Sequence, residues 1–374
     1  MIAPKLRFKA DDGNDFPELE AKSLFDICEY RNKQSVGKNY VGTENMKQNF
    51  SGLESLDEET EMKGVCYCKG DTLMSNIRPY LRKTWKADRE GVCSTDVLVF
   101  HPIDVASEYL HYLIASDKFI SYVMTGAKGV KMPRGDKEHM MKFSIMVPSL
   151  PEQQKIADFL STIDTIIEKQ RATVSAWEER KKGVMQKLFS QEVRFKADDG
   201  SDFPDWEEKE VKDVCSVSTG KSNTQDKVDS GKYEFYVRSP IVEHSDKYLF
   251  DEEAVITVGD GVGTGKVFHY VNGKYNLHQR CYRMYDFMGV IGKYFFYFFS
   301  QNFYRRIKAM SAKTSVDSVR MEMITKMKMN VPSLPEQQKI ADCLSALDTV
   351  IEKQKETLEK WQELKKGLLQ QMFV

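Results

Sequence analysis

From Ile156 onward the chain sets its apolar residues alternately four and three positions apart: Ile156, Leu160, Ile163, Ile167, then Val174, Trp177, Val184 and Leu188. The same spacing returns as Ile340, Leu344, Leu347, Ile351, Leu358, Trp361, Leu368 and Met372. A mean step of 3.5 residues keeps these side chains on one stripe of an α-helix, so each segment predicts a coiled-coil helix. No proline or glycine interrupts either run before Gly183 and Gly367. Each helix is expected to cover about 35 residues, roughly 50 Å at 1.5 Å per residue. An isolated helix of that length exposes its apolar stripe, and the partner nearest to hand is its own duplicate. Ser149-Leu150-Pro151-Glu152 and Ser333-Leu334-Pro335-Glu336 fit the S-x-x-E capping box, with proline tolerated in the first turn. Trp177 and Trp361 read as seam packing. Gln170 and Gln354 are polar in the seam, as are Lys181 and Lys365. In an antiparallel pair with a pseudo-two-fold axis, the central amides Gln170 and Gln354 should face each other and fix register.

The duplication extends beyond the helices. Val147 to Asp158 recurs residue for residue as Val331 to Asp342, and roughly two-thirds of positions stay identical as far as Phe189 and Phe373. Arg7-Phe8-Lys9-Ala10-Asp11-Asp12-Gly13 recurs as Arg194-Phe195-Lys196-Ala197-Asp198-Asp199-Gly200. Residues 30–140 and 217–325 diverge, so the order is variable, constant, variable, constant. A period near half the chain is too long for a solenoid and describes two related halves. Both variable blocks carry strand-like runs, including Val65–Cys68, Asp96–Phe100, Ala254–Val258 and Lys266–Tyr270, bounded by glycine-rich turns. Short aromatic helices follow at Tyr109–Leu113 and Tyr294–Phe299. The expected organisation is a first mixed α/β domain over 1–146, a helix over 147–190, a second such domain over 191–330 with a short linker at 191–204, and a second helix over 331–374. The fold class is α+β: two mixed α/β domains separated by two long helices that form an antiparallel coiled coil, with a pseudo-two-fold internal repeat.

Composition narrows the function. Charged residues make up 30% of the 374 and hydrophobic ones 41%, as in a globular protein. No apolar run is long enough to span a membrane and the first residues lack a signal-peptide core, so the cytoplasm is the expected location. Seven cysteines without a regular framework argue for free thiols, and Cys66 and Cys68 form C-x-C rather than a zinc-type C-x-x-C pair. The six histidines lack metal spacing. Gly259-Asp260-Gly261-Val262-Gly263-Thr264-Gly265-Lys266 fails as a phosphate loop, because Asp260 stands where the first glycine should be and Val267 where Ser or Thr should follow the lysine. A net charge of −1 leaves only local surfaces for binding nucleic acid.

Gly70-Asp71-Thr72-Leu73-Met74-Ser75, then Cys93-Ser94-Thr95-Asp96, then a lysine–arginine loop, then Leu-Pro-Glu-Gln-Gln-Lys-Ile-Ala in two copies, resemble the ordered blocks of type I restriction–modification specificity subunits. The resemblance covers nearly the whole chain. The second domain follows it less closely, with Gly259-Asp260-Gly261 and His278-Gln279-Arg280 in the matching places. It implies a subunit without catalytic activity, two target-recognition domains that each read one half of a split double-stranded DNA target, and helices that set the spacing. It also implies docking of two adenine methyltransferase (modification) subunits and of restriction/translocase subunits. No cofactor is expected in this chain; S-adenosylmethionine, ATP and magnesium belong to the partners. Within that resemblance the candidate DNA contacts are Arg78, Tyr80, Arg82, Lys83, Lys128, Lys131 and Arg134 in the first domain. In the second they are Lys221, Asn223, Arg280, Lys313 and Arg320. A solvated loop is the plain alternative for each of these charges. For the whole chain the alternative is a coiled-coil interaction scaffold that does not read DNA.

Overall fold

The computed structural model describes residues 4–56, 58–261, 263–310 and 318–373. Two helices dominate it, Leu150–Phe189 with 40 residues and Leu334–Met372 with 39. Chain contacts divide the protein into two compact units, one holding residues up to Ala172 and from Glu356 on, the other holding Thr173–Lys355. Each unit therefore contains one mixed α/β domain, one end of the first long helix and the opposite end of the second.

In the first unit, four antiparallel strands run in the order Cys28–Arg31, Val97–Pro102, Thr72–Ser75 and Thr84–Lys86. A three-stranded sheet of Gln34–Gly37, Met62–Tyr67 and Gly91–Cys93 accompanies it. Glu20–Ser23 pairs with Ser144–Val147, closing the domain just ahead of the long helix. The core gathers Phe100, Tyr109, Leu113, Phe119 and Phe143 around Ile156 and Leu160 from the start of the first long helix. Leu369, Met372 and Phe373 from the end of the second complete it. The two helices are thus antiparallel here.

The second unit repeats the plan with a different sheet. Six strands run in the order Ser216–Thr219, Cys281–Tyr285, Phe250–Val258, Phe268–Leu277, Tyr233–Tyr236 and Glu243–Ser245. Among these strand pairings only Tyr233–Tyr236 against Phe268–Leu277 is parallel. Glu207–Glu210 pairs with Lys328–Val331 as the counterpart of the closing pair in the first unit. The aromatic helix Gly292–Met310 buries Tyr294, Phe295, Phe299 and Phe303 against Met185 and Leu188 from the end of the first long helix and Ile340, Ala341 and Leu344 from the start of the second. Along the seam Ile156, Leu160, Ile163, Ile167, Val174, Ile340, Leu344 and Ile351 are buried. Gln170, Trp177, Leu347, Gln354, Leu358 and Trp361 are half-buried.

The duplicated motifs meet one another, which explains their residue types. Arg7 Nε and Nη2 donate to the two carboxylate oxygens of Glu152 at 3.0 and 2.6 Å. Arg194 does the same to Glu336 at 3.0 and 2.8 Å. Both carboxylates are buried, Glu152 at 1% exposure and Glu336 at none. The next residue ties the helix start to the domain: Gln153 donates to Pro148 O and accepts from Ala106 N, while Gln337 donates to Pro332 O and accepts from Ile291 N. Two residues on, Lys155 and Lys339 donate to the carbonyls of Lys9 and Lys196, each at 2.8 Å. The capping box expected at Ser149 and Ser333 does not form. Both serine hydroxyls are buried without a hydrogen-bond partner, and the carboxylates of the glutamates that should have completed the boxes are held by the arginines instead.

The charged seam positions are used as well. Lys365 reaches Asp164 at 2.5 Å, and Asp164 accepts from the Tyr112 hydroxyl at 2.8 Å. In the other unit Lys181 pairs with Asp348, which accepts from the Tyr297 hydroxyl at 2.7 Å. Each aromatic helix is thereby hydrogen-bonded to an aspartate of one long helix that is itself paired with a lysine of the other.

Candidate nucleic-acid interface

In the first unit the surface begins where Thr72–Ser75 ends. Ile77 bridges Arg134, the Arg78 amide donates to Pro133 O at 2.8 Å, and Lys128 and Arg134 exchange two N–H···O bonds of 2.9 Å. These bonds close the base of a loop whose tip is Gly129–Pro133. Gly129 sits at φ +97°, a conformation that favours glycine, and lets the chain reverse. Val130 is fully exposed at the tip, between Gly129 and an exposed Lys131. Arg78 and Arg82 flank the turn Pro79–Leu81 with left-handed φ of 51° and 54°, which L-residues adopt at a cost of about 1–3 kcal/mol each.

These bonds bring Arg78, Tyr80, Lys128, Lys131 and Arg134 onto one adjoining pair of loops. Arg134 pairs with Asp96 at 3.0 Å and Lys128 with Asp136 at 2.7 Å. The Lys128 ammonium, aided by the His139 amide, holds the Asp136 carboxyl down at about 2. Lys131 has no carboxylate partner among the described residues. Arg82 and Lys83 are engaged elsewhere: Arg82 pairs with Asp117 at 2.8 Å and Lys83 donates to Thr43 O at 2.7 Å. Arg82 lines a cavity of about 410 Å³ with Arg171, Lys365 and Lys366 of the long helices.

In the second unit the corresponding surface begins where Phe250–Val258 ends. Gly259 N donates to Arg280 O at 2.8 Å, as Asn76 N donates to Asp96 O at 2.8 Å in the first. Asp260 bridges Ser318 as Ile77 bridges Arg134. Both surfaces therefore lie at the same point of the fold: the end of a central strand, the start of its antiparallel neighbour, and a bridge from the chain that follows the domain's helices. Asp260 takes Arg280 at 2.5 Å on one oxygen and Arg238 at 3.2 Å on the other. Burial works to raise its carboxyl, and the two guanidiniums outweigh this and leave it below the ordinary range. Gln279 donates to the Asn223 side chain beside them. Asn223, Thr224, Arg238, His278, Gln279 and Arg280 line a cavity of about 350 Å³. Lys221 is exposed next to it, and Arg320 is exposed on the loop that Val319 N anchors to Gly259 O at 2.7 Å. Lys313 lies outside the described residues.

Sequence reasoning missed Arg238 and Gln279. Gln279 adjoins Arg280 and could have been taken with it. Arg238 stands 22 residues from its carboxylate, with no periodicity or motif to connect them. Among the described residues no cluster of three His, Cys, Asp or Glu could hold a metal ion, and no helix is long and apolar enough to cross a membrane.

The duplicated domains, the helix pairing and the two equivalent surfaces define a protein built on an internal repeat. The chain belongs to the type I restriction–modification DNA specificity domain family, whose model matches residues 17–174 and again 204–360. It is a specificity subunit, a DNA-recognition component that works with other restriction–modification subunits and is not itself the catalyst. Among curated relatives, the type I restriction enzyme MjaVIII specificity subunit of Methanocaldococcus jannaschii is 26% identical over 304 residues, 73% of this chain and 72% of the relative. The putative MjaX specificity subunit of the same organism is 24% identical over 405 residues, 94% and 93% of the two chains. The crystal structure of a type I restriction–modification S subunit from M. genitalium shares the fold at a TM-score of 0.62 and 13% identity, covering 100% of this chain and 99% of that one. A chain from a study of complex assembly in the type I system matches at a TM-score of 0.54 and 17% identity, over 95% and 97%.

Proposed function

We propose that this chain reads a split double-stranded target, one half per domain, and docks two adenine methyltransferase subunits together with restriction/translocase subunits. The observation that carries the reading is the equivalence of the two surfaces. Two domains with different sheets and divergent sequences place arginines, lysines and amides at the same topological point, the end of a central strand. A common position with different side chains is what two readers of different sequences need. In this reading Arg78, Tyr80, Lys128, Lys131 and Arg134 face one half-site, and Lys221, Asn223, Arg280 and Arg320 the other. Arg82 and Lys83, bonded within the protein, brace the first loop. S-adenosylmethionine, ATP and magnesium act in the partner subunits.

A domain exchange tests the reading. Residues 20–145 are replaced by the matching block of another family member, and the hybrid is expressed with its methyltransferase partner. Sequencing of modified adenines is expected to show one half of the motif changed and the other retained. A motif altered in both halves, or in neither, contradicts division of labour between the domains. With a net charge of −1, the chain alone is expected to bind duplex DNA more weakly than the assembly, and with a shallower dependence on salt, since the partners add phosphate contacts.

A further inference from the structure

We propose that Arg280 reads a guanine in the half-site served by the second domain, with Asp260 as the positioning residue that aims its guanidinium. The proposal rests on the DNA reading above and adds the chemistry of one base pair. In the major groove guanine alone offers two adjacent acceptors, O6 and N7. Adenine pairs its acceptor with a donor amine, cytosine shows a donor, and thymine shows one acceptor beside a methyl group. A guanidinium edge, with two parallel N–H bonds, complements guanine; the donors of adenine and cytosine repel it, and thymine gives it a single acceptor.

Arg280 is placed for that role. Its backbone is fixed on both sides, since its carbonyl accepts from Gly259 N at 2.8 Å and its amide donates to His278 Nδ1 at 3.1 Å. Its side chain is exposed, yet one end is held: Nη1 donates to Asp260 Oδ2 at 2.5 Å. Nε and Nη2 have no protein acceptor among the described residues, which leaves one edge of the fork open. Asp260 is in turn braced by Arg238 at 3.2 Å on its other oxygen. Two guanidiniums against one carboxylate leave a net positive charge beside the cavity, where a base edge rich in acceptors is favoured. An unbraced arginine at a surface samples many rotamers; a carboxylate on one nitrogen restricts them to those that present the free edge.

The first domain carries the same ion pair in the reverse sense. There the carboxylate, Asp96, precedes the strand, and the arginine, Arg134, comes from the loop. The two domains therefore present guanidiniums from different backbone positions, as readers of different bases would.

The test uses the full chain co-expressed with its methyltransferase partner, and reads the modified motif by sequencing modified adenines genome-wide. The wild-type motif is expected to hold an invariant G·C pair in the half that residues 20–145 do not control. Arg280→Ala is expected to lower discrimination at that pair alone by about tenfold or more, leaving the other half unchanged. Asp260→Asn keeps the arginine and is expected to relax the same position in part. The double variant should be no more relaxed than Arg280→Ala, because the carboxylate acts through the arginine. A purely structural role predicts weaker modification at every position instead, and that result overturns the assignment. So does an unchanged motif in Arg280→Ala, or a second half-site without guanine. A wild-type complex that selects no sequence at all overturns the DNA reading itself, which keeps the two failures apart.

Discussion

Glu336→Ala is expected to destabilise the protein by about 3–5 kcal/mol, the range found when one partner of a buried ion pair is removed. Glu336 is fully buried and accepts from Arg194 at two nitrogens and from the Trp206 indole N–H at 2.9 Å. Truncation leaves a half-buried guanidinium and an indole donor without their carboxylate acceptor, at the junction of domain, linker and helix start. A urea denaturation series on the full chain measures the loss. Glu336→Gln should cost less, because it keeps the shape and one acceptor oxygen. Glu152→Ala should cost somewhat less than Glu336→Ala, since its clasp has no indole: Leu19 stands in the repeat where Trp206 does and offers no donor. A midpoint for Glu336→Ala that matches the parent would show that the clasp does not hold the helix to the domain.

Four residues inserted after Gln170 and four more after Gln354, in one chain, are expected to lengthen the unread spacer of the DNA target and leave both half-sites intact. Four residues in a helix add about 6 Å, and a four-residue stutter is an interruption that coiled coils absorb by local unwinding. DNA advances about 34 Å per 10 base pairs, so the spacer should grow by one or two base pairs. Selection from a library with randomised spacer length, scored by adenine modification, gives the answer. An unchanged preferred spacer would mean that the long helices are not the ruler.

The long helices were legible because their signal is local and stated twice: a 3.5-residue apolar period, with the pattern near Ile156 confirmed by the copy near Ile340. Their pairing was legible too, since a stripe that long must be covered. Competition between partners was not. Ser149 and Glu152 satisfy a capping pattern four residues long, and the pattern loses to Arg7, which is 145 residues away in sequence and offers a charged, bidentate bond. At the surfaces, sequence could find the basic loop around Lys131 because glycine and lysine lie together there. It could not tell that Arg82 and Lys83, beside Arg78, are bonded to Asp117 and Thr43. Nor could it join Arg238 to Asp260, because they follow two strands, Tyr233–Tyr236 and Phe250–Val258, that do not pair with each other but share the neighbour Phe268–Leu277.

The clasps have a consequence at the level of the gene. Arg7 with Glu152 and Arg194 with Glu336 are interchangeable in geometry, and the segments that form them are nearly identical. An unequal crossover between the two copies would excise one domain with one helix and leave a half-length product in frame. Such a product keeps a complete clasp and a foldable domain, but its single helix has lost the sequence that covered its apolar stripe. Two of these chains can supply each other's missing helix. Their product would be a symmetric pair carrying two like domains, where the parent chain carries two unlike ones.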